Sequence, residues 1–226
     1  MGTAPGTGTH DSPGAGSGTA RPPARSRLKE TAMSNALTIR DATDADALPI
    51  AALMLQAGEG LYEFLLDGLV PDLSAQAILA HLIEAGDGPL GWPECRVAER
   101  EGQVLGMVNA FPVERLDELA LDMIPLDRTT HLAPLFQARD PGSFYLSTMA
   151  VVPTQRGVGI GVALIAEVLG MAGARKIPRV SLHVWSTNKG AIALYERLGF
   201  TITGQVTLPS HDRLSARRAL LMARAV

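Results

Sequence analysis

Cysteine is nearly absent from this chain of 226 residues: Cys95 stands alone, which excludes an intramolecular disulfide framework and any cysteine-based metal cluster. Histidine is sparse as well. His10, His81, His131, His183 and His211 show no ligand spacing, so no structural metal site is expected. No run of about 18 apolar residues could span a membrane, and no apolar segment near the start reads as a secretory signal. An excess of positive charge is missing too. The formal net charge is -3, so the whole chain gives no reason to expect a nucleic acid or an anionic membrane as partner. Internal repeats are absent. These gaps point to a cytoplasmic protein, expected as a monomer or homodimer. What is present, 46% hydrophobic and 19% charged residues, suits one folded domain with a core.

Residues 1–36 differ from the rest, being rich in Gly, Pro, Ser and Thr with almost no large apolar side chain. Such a stretch cannot bury enough surface to offset its ordering entropy, so a disordered tail is expected, its Arg21, Arg25 and Arg27 solvated. Met33, just ahead of the first strand-like segment, is a candidate translation start. A domain over 37–226 follows.

Its first half predicts a short strand at ALTIRDAT and a helix capped by Thr43 or Asp44 that buries Leu48, Ala51, Ala52 and Leu55. A second helix is expected over 74–84, with Ile78, Leu79, Leu82 and Ile83 on one side, stopped by Gly86, Gly88, Pro89 and Gly91. Two strands joined at Glu101-Gly102 read as a hairpin. Residues 113–142 are irregular and acidic and read as an insertion with one or two short helices. The second half alternates strand and helix: SFYLSTMAVV, IGVALIAEVLGMAGA, RVSLHVW, NKGAIALYERL, then two closing strands. Asn188 caps the last helix, and Gly199 with Phe200 ends it. This order predicts an α/β sandwich around a mixed sheet.

The most informative stretch is MAVVPTQRGVGIGVAL. A strand ends at Val152, Pro153 stops it, and Gly157, Gly159 and Gly161 lead into a helix. Free backbone amides and the positive helix end then converge on one spot, which suits a phosphate or pyrophosphate, with Arg156 as a cation beside it. A Walker A loop is excluded because no Gly-Lys-Ser/Thr occurs. The dinucleotide pattern fails also, for want of a third glycine and of an acidic residue closing RVSLHVW. The pattern Gln/Arg-x-x-Gly-x-Gly/Ala fits in full, as Arg156-Gly157-Val158-Gly159-Ile160-Gly161.

That loop resembles the acyl-CoA loop of the GNAT (GCN5-related) N-acetyltransferase superfamily. About thirty residues later N-K-G-A-I-A-L-Y-E-R-L-G-F resembles the family's second hallmark; the resemblance covers most of 37–208 and is weakest over 113–142. The resemblance implies an α/β/α sandwich with a central mixed, mostly antiparallel sheet splayed at the acyl-CoA site. It implies acetyl-CoA as co-substrate, no metal, and an amine of a small molecule or peptide as acceptor. Met149, Ala150 and Val151 would meet the pantetheine arm. Arg156 and the amides of Gly157, Val158, Gly159, Ile160 and Gly161 would hold the pyrophosphate. Asn188 and Ala191 would line the cofactor, and Tyr195 would protonate the departing thiolate.

A general base is not singled out: His183 lies on the strand between the motifs, Ser147 on the strand before the glycine loop, and Glu59 and Glu63 in the segment that the resemblance implies walls the acceptor site. The acidic insertion, with Glu114, Asp117, Glu118, Asp122 and Asp127, suits a cationic acceptor such as a polyamine, an aminoglycoside or a lysine side chain; a solvated face is the other reading. Cys95 reads as a small buried apolar group. Two further readings stand beside the enzyme: a non-catalytic acyl-CoA-binding regulatory module, and a glycine-loop nucleotide binder.

Overall fold

A computed structural model of the chain describes residues 1, 2, 8 and 36–226, so almost all of the expected tail, Met33 included, lies outside the described residues. Seven strands form one open sheet in the order β1-β2-β3-β4-β5-β7-β6. They are β1 (Thr38–Asp41), β2 (Cys95–Arg100), β3 (Gln103–Pro112), β4 (Phe144–Val151), β5 (Arg179–Trp185), β6 (Thr201–Thr207) and β7 (Arg218–Ala225). Every neighbouring pair is antiparallel except β4 and β5, which run parallel. The mixed, mostly antiparallel sheet is therefore as expected. Helices α1 (Ala47–Gly58), α2 (Leu61–Leu66) and α3 (Ala75–Ala85) precede β2, and α4 (Leu126–Gln137) lies between β3 and β4. Helix α5 (Ile160–Ala174) joins β4 to β5, and α6 (Lys189–Arg197) joins β5 to β6.

Alternation along the strands sends side chains to two cores. Val97, Met107 and Ala150 pack with α1 and α3 on one face, through Ile50, Met54, Leu79 and Ile83. Val108, Leu146, Leu182 and Met222 meet α5 and α6 on the other, through Ile160, Leu164, Val168 and Tyr195. The hairpin turn is where the sequence puts it: Glu101 and Gly102 both take positive φ, 54° and 76°, as a tight two-residue turn between twisted strands requires.

Two expectations need correction. Helix α1 buries Ala47, Ile50, Ala51 and Met54, while Leu48 is 63% exposed and Ala52 faces solvent. The chain enters through a short turn, Asp44–Asp46, capped by Thr43, which delays the helix to Ala47 and rotates the face it offers the sheet. In α3, Ser74 accepts from the Ala77 amide as N-cap, and Leu79 and Ile83 are buried. Leu82, however, is 42% exposed.

Candidate active site

The site originates where two strands part. β4 and β5 pair only over Phe144↔Val180, Tyr145↔Ser181 and Leu146↔Leu182. Beyond that, β4 continues along β3 to Val151 and β5 continues along β7 to Trp185, so a wedge opens between them. Opposite Asn109 and Ala110 the ladder skips Ser147, an extra residue that bends β4 at the mouth of the wedge. Val152 donates to the Leu105 carbonyl, and the alternation of antiparallel bonds then aims the polar backbone of Met149 and Val151 away from β3, into the wedge. Ala150 is the odd one of the three. Its side chain is buried beneath α1, and its backbone faces β3.

The wedge belongs to a cleft of about 1560 Å³, larger than the 300–1,000 Å³ usual for one small ligand. At one end lies the glycine loop. Gly157 and Gly159 have φ of 80° and 94°, and a Cβ on either would meet no atom within 4 Å, so backbone geometry and not internal packing demands glycine. Among the described residues no protein acceptor takes the amides of Gly157, Val158, Gly159, Ile160, Gly161 or Val162; the ladder of α5 begins with Ala163 donating to Gly159. Ile160 anchors the helix start in the core, and the Val158 side chain is 64% exposed. Arg156 donates through Nε to the Val151 carbonyl at 3.2 Å, tying the loop to the end of β4.

Helix α6 forms the facing wall. Asn188 Oδ1 accepts from the Ala191 amide at 3.1 Å, the expected N-cap. At the other end the Phe200 amide donates to Tyr195 O and the Gly199 amide to Glu196 O, a left-handed stop with Gly199 at φ 84°. Tyr195 is 6% exposed and packs edge-on against Phe200, ring centroids 5.7 Å apart. Burial pushes its hydroxyl up to about 12. That hydroxyl has no partner among the described residues and is not enclosed, so it opens on the cleft.

Several contacts here escape a linear reading. Glu59, at positive φ between α1 and α2, accepts from Asn188 Nδ2 at 2.9 Å and from Ser215 Oγ at 2.8 Å. Next to it Gly60 lets the Arg213 carbonyl approach; a Cβ there would lie 1.8 Å from that oxygen. Lys189 and Arg197, unremarked in the motif that carries them, join Arg156 as the Lys and Arg side chains lining the cleft. All three come from the glycine loop and α6. The carboxylates in the lining are Glu59, Asp87 and Glu118.

The remaining candidates separate cleanly. His183 faces Tyr145 through Nδ1 at 3.1 Å, and its Nε2 is enclosed without a partner. Burial pulls it down to about 4, which makes it a poor proton acceptor for an ammonium near 10. Glu63 does not line the cleft, whereas Ser147 does. Cys95 is fully buried at the start of β2, and burial pushes its thiol up to about 12, as befits a small apolar group.

Against known proteins, the model of the acetyltransferase (GNAT) family matches residues 63–200. The chain belongs to that family. The family uses acetyl-CoA, and loop amides without a protein acceptor among the described residues, in a cleft that Arg156, Lys189 and Arg197 also line, suit an anionic group such as a pyrophosphate. The histone acetyltransferase MCC1 of Arabidopsis thaliana is 34% identical over 106 residues, 46% of this chain and 40% of that one. A mycothiol acetyltransferase of Salinispora tropica is 44% identical over 64 residues, 26% of this chain and 21% of that one. The chain thus spans less than half the length of these curated relatives. An N-acetyltransferase structure from Staphylococcus aureus Mu50 shares the fold over 83% of this chain and 100% of its own, with TM-score 0.63 and 22% identity. Among the described residues no helix is long and apolar enough to cross a membrane, and no cluster of three or more His, Cys, Asp or Glu could hold a metal ion.

Proposed function

We propose that this GNAT protein moves the acetyl group of acetyl-CoA to an amine by direct attack, with Tyr195 as the acid at the thiol. The observation that carries this reading is the meeting in one cleft of the parted edge of β4, the glycine-loop amides and the Tyr195 hydroxyl, the last two without a partner among the described residues. Acetyl-CoA supplies the activated thioester. The amides of Gly157, Val158, Gly159, Ile160 and Gly161 hold its pyrophosphate, with Arg156 alongside. Backbone groups of Met149 and Val151 bond the pantetheine arm as a missing strand would, and Ala191 and capped Asn188 flank it. Tyr195 keeps its proton at neutral pH and presents it to the departing sulfur. Cys95, the chain's one thiol, is sealed in the core and offers no covalent route.

The test is calorimetric titration with acetyl-CoA, ATP and NAD, followed by thiol release over a panel of amines. Micromolar binding of acetyl-CoA alone, with amine-dependent release of CoA, is expected. Binding of ATP instead sinks the reading, and acetyl-CoA binding without release across the panel reduces it to a non-catalytic acyl-CoA-binding module.

A further inference from the structure

We infer that the acceptor is a primary amine carried on an apolar body and not a polycation. This rests on the acetyl-transfer reading of the cleft and concerns its other half. The same cleft is also walled by the end of α2 and the turn after it, by α3 and by part of residues 113–142. Its wall there is aliphatic. Val70, Leu82 and Met123 line it while being 43%, 42% and 74% exposed, and Leu119, Leu121 and Phe136 line it half-buried. Large apolar side chains left open on three separate elements around one hollow have no folding role that explains the exposure; an apolar occupant would cover them together.

The insertion's acids do not oppose this. Asp117 is held by Arg139, Glu114 accepts from the Gly142 amide, and neither lines the cleft; Asp122 and Asp127 do not line it either. Glu118 does line it, but Arg115 grips both its oxygens and keeps its carboxyl below the usual range. Glu59 is already committed to Asn188 and Ser215. Asp87 alone, exposed at the rim, has no such tie among the described residues. A polyamine or aminoglycoside would set several ammonium groups against this wall without partners, at a desolvation cost that nothing there offsets. A single amine trailing a hydrocarbon or an apolar side chain meets no such penalty.

The same chemistry comes from two sources, a free lipophilic amine or the α-amine of a peptide beginning with an apolar residue, and the experiment separates them. Purified protein is assayed for CoA release with n-alkylamines from butyl to octyl, with peptides beginning in Leu or Lys, and with spermidine. In parallel each amine is titrated calorimetrically into the CoA-loaded protein. Affinity and kcat/KM are expected to climb about three- to fourfold per added methylene, the value of one buried CH₂. Spermidine should fall below octylamine by about a hundredfold. Leu-peptides outpacing alkylamines would identify the peptide source. Met123→Lys, a change at an exposed side chain, should flatten the alkyl series while leaving acetyl-CoA affinity intact. A flat series in binding and turnover, or a preference for spermidine, overturns the inference while acetyl-CoA binding still stands. Failure to bind acetyl-CoA would instead overturn the reading beneath it.

Discussion

Tyr195 divides its work between ring and hydroxyl. The ring belongs to the core shared by α5 and α6 and lies edge-on to Phe200. The hydroxyl belongs to the cleft. Tyr195→Phe therefore keeps the packing and strands no hydrogen-bond partner, because the hydroxyl has none among the described residues. Stability should stay within about 0.5 kcal/mol of the parent. Turnover should fall about 10²- to 10³-fold, the usual worth of a positioned acid, with acetyl-CoA affinity unchanged. Single-turnover rates beside calorimetric Kd values decide it. Equal losses in both would make Tyr195 a binding residue only. Since burial holds the phenol near 12, kcat should show no alkaline fall attributable to this residue below about pH 10.

The elements around the cleft are held by local turn chemistry, and the glycine loop is the most exposed case. Gly159 sits at φ 94° with open space where a side chain would project. Gly159→Ala should fold with a loss of about 1–2 kcal/mol from backbone strain and weaken acetyl-CoA moderately. Gly159→Asp adds a carboxylate facing the pyrophosphate, and at a few ångströms that repulsion should lower affinity by about a hundredfold or more. Calorimetry on both variants checks this; an Asp variant binding as well as the Ala variant would dissociate the loop from the phosphate. The loop, the Asn188 cap and the Gly199-Phe200 stop were legible in the sequence because each is written in a few adjacent residues. The face of α1 was not, since the turn at Asp44–Asp46 rotates it and leaves Leu48 in solvent. Helix α2 escaped too, six residues too few for a period to show. Glu59 was named as a candidate base, but adjacency could not reveal its partners Asn188 and Ser215, which lie 129 and 156 positions away. The apolar wall was missed for a related reason: the acids of 113–142 drew the reading, although apolar residues outnumber them, and only the fold shows that Leu116, Leu119, Leu121 and Leu135 line the cleft while Asp117, Asp122 and Asp127 do not.

Across the whole molecule, the parting of β4 and β5 sets a cavity into the middle of the sheet, and buried polar groups ring it. The chain has three tyrosines, Tyr62 and Tyr195 buried and Tyr145 half-buried, all with hydroxyls raised by desolvation: Tyr62 and Tyr195 to about 12, and Tyr145 further still. An unfolded tyrosine ionises near 10. Above that pH the unfolded chain releases protons that the fold retains, so stability complete below pH 10 is lost as the pH rises toward 12. The loss approaches about 1.4 kcal/mol per tyrosine for each pH unit in that window. On the acid side the sign reverses. His183 is held down to about 4 against 6.5 when unfolded, so the stability it contributes is present above 6.5 and fades as the pH falls toward 4. Asp46, lowered by its bond to Arg40, extends that decline into the carboxylate range. Urea unfolding from pH 4 to pH 11 should thus give a plateau between about 7 and 9.5 with a fall on each flank. Phenolate absorbance followed in the same samples locates the cause. It should appear together with unfolding, because the fold cannot accommodate the anions; tyrosines ionising near 10 in a protein that stays folded would mean that water reaches all three and that the cleft is wetter than its walls require.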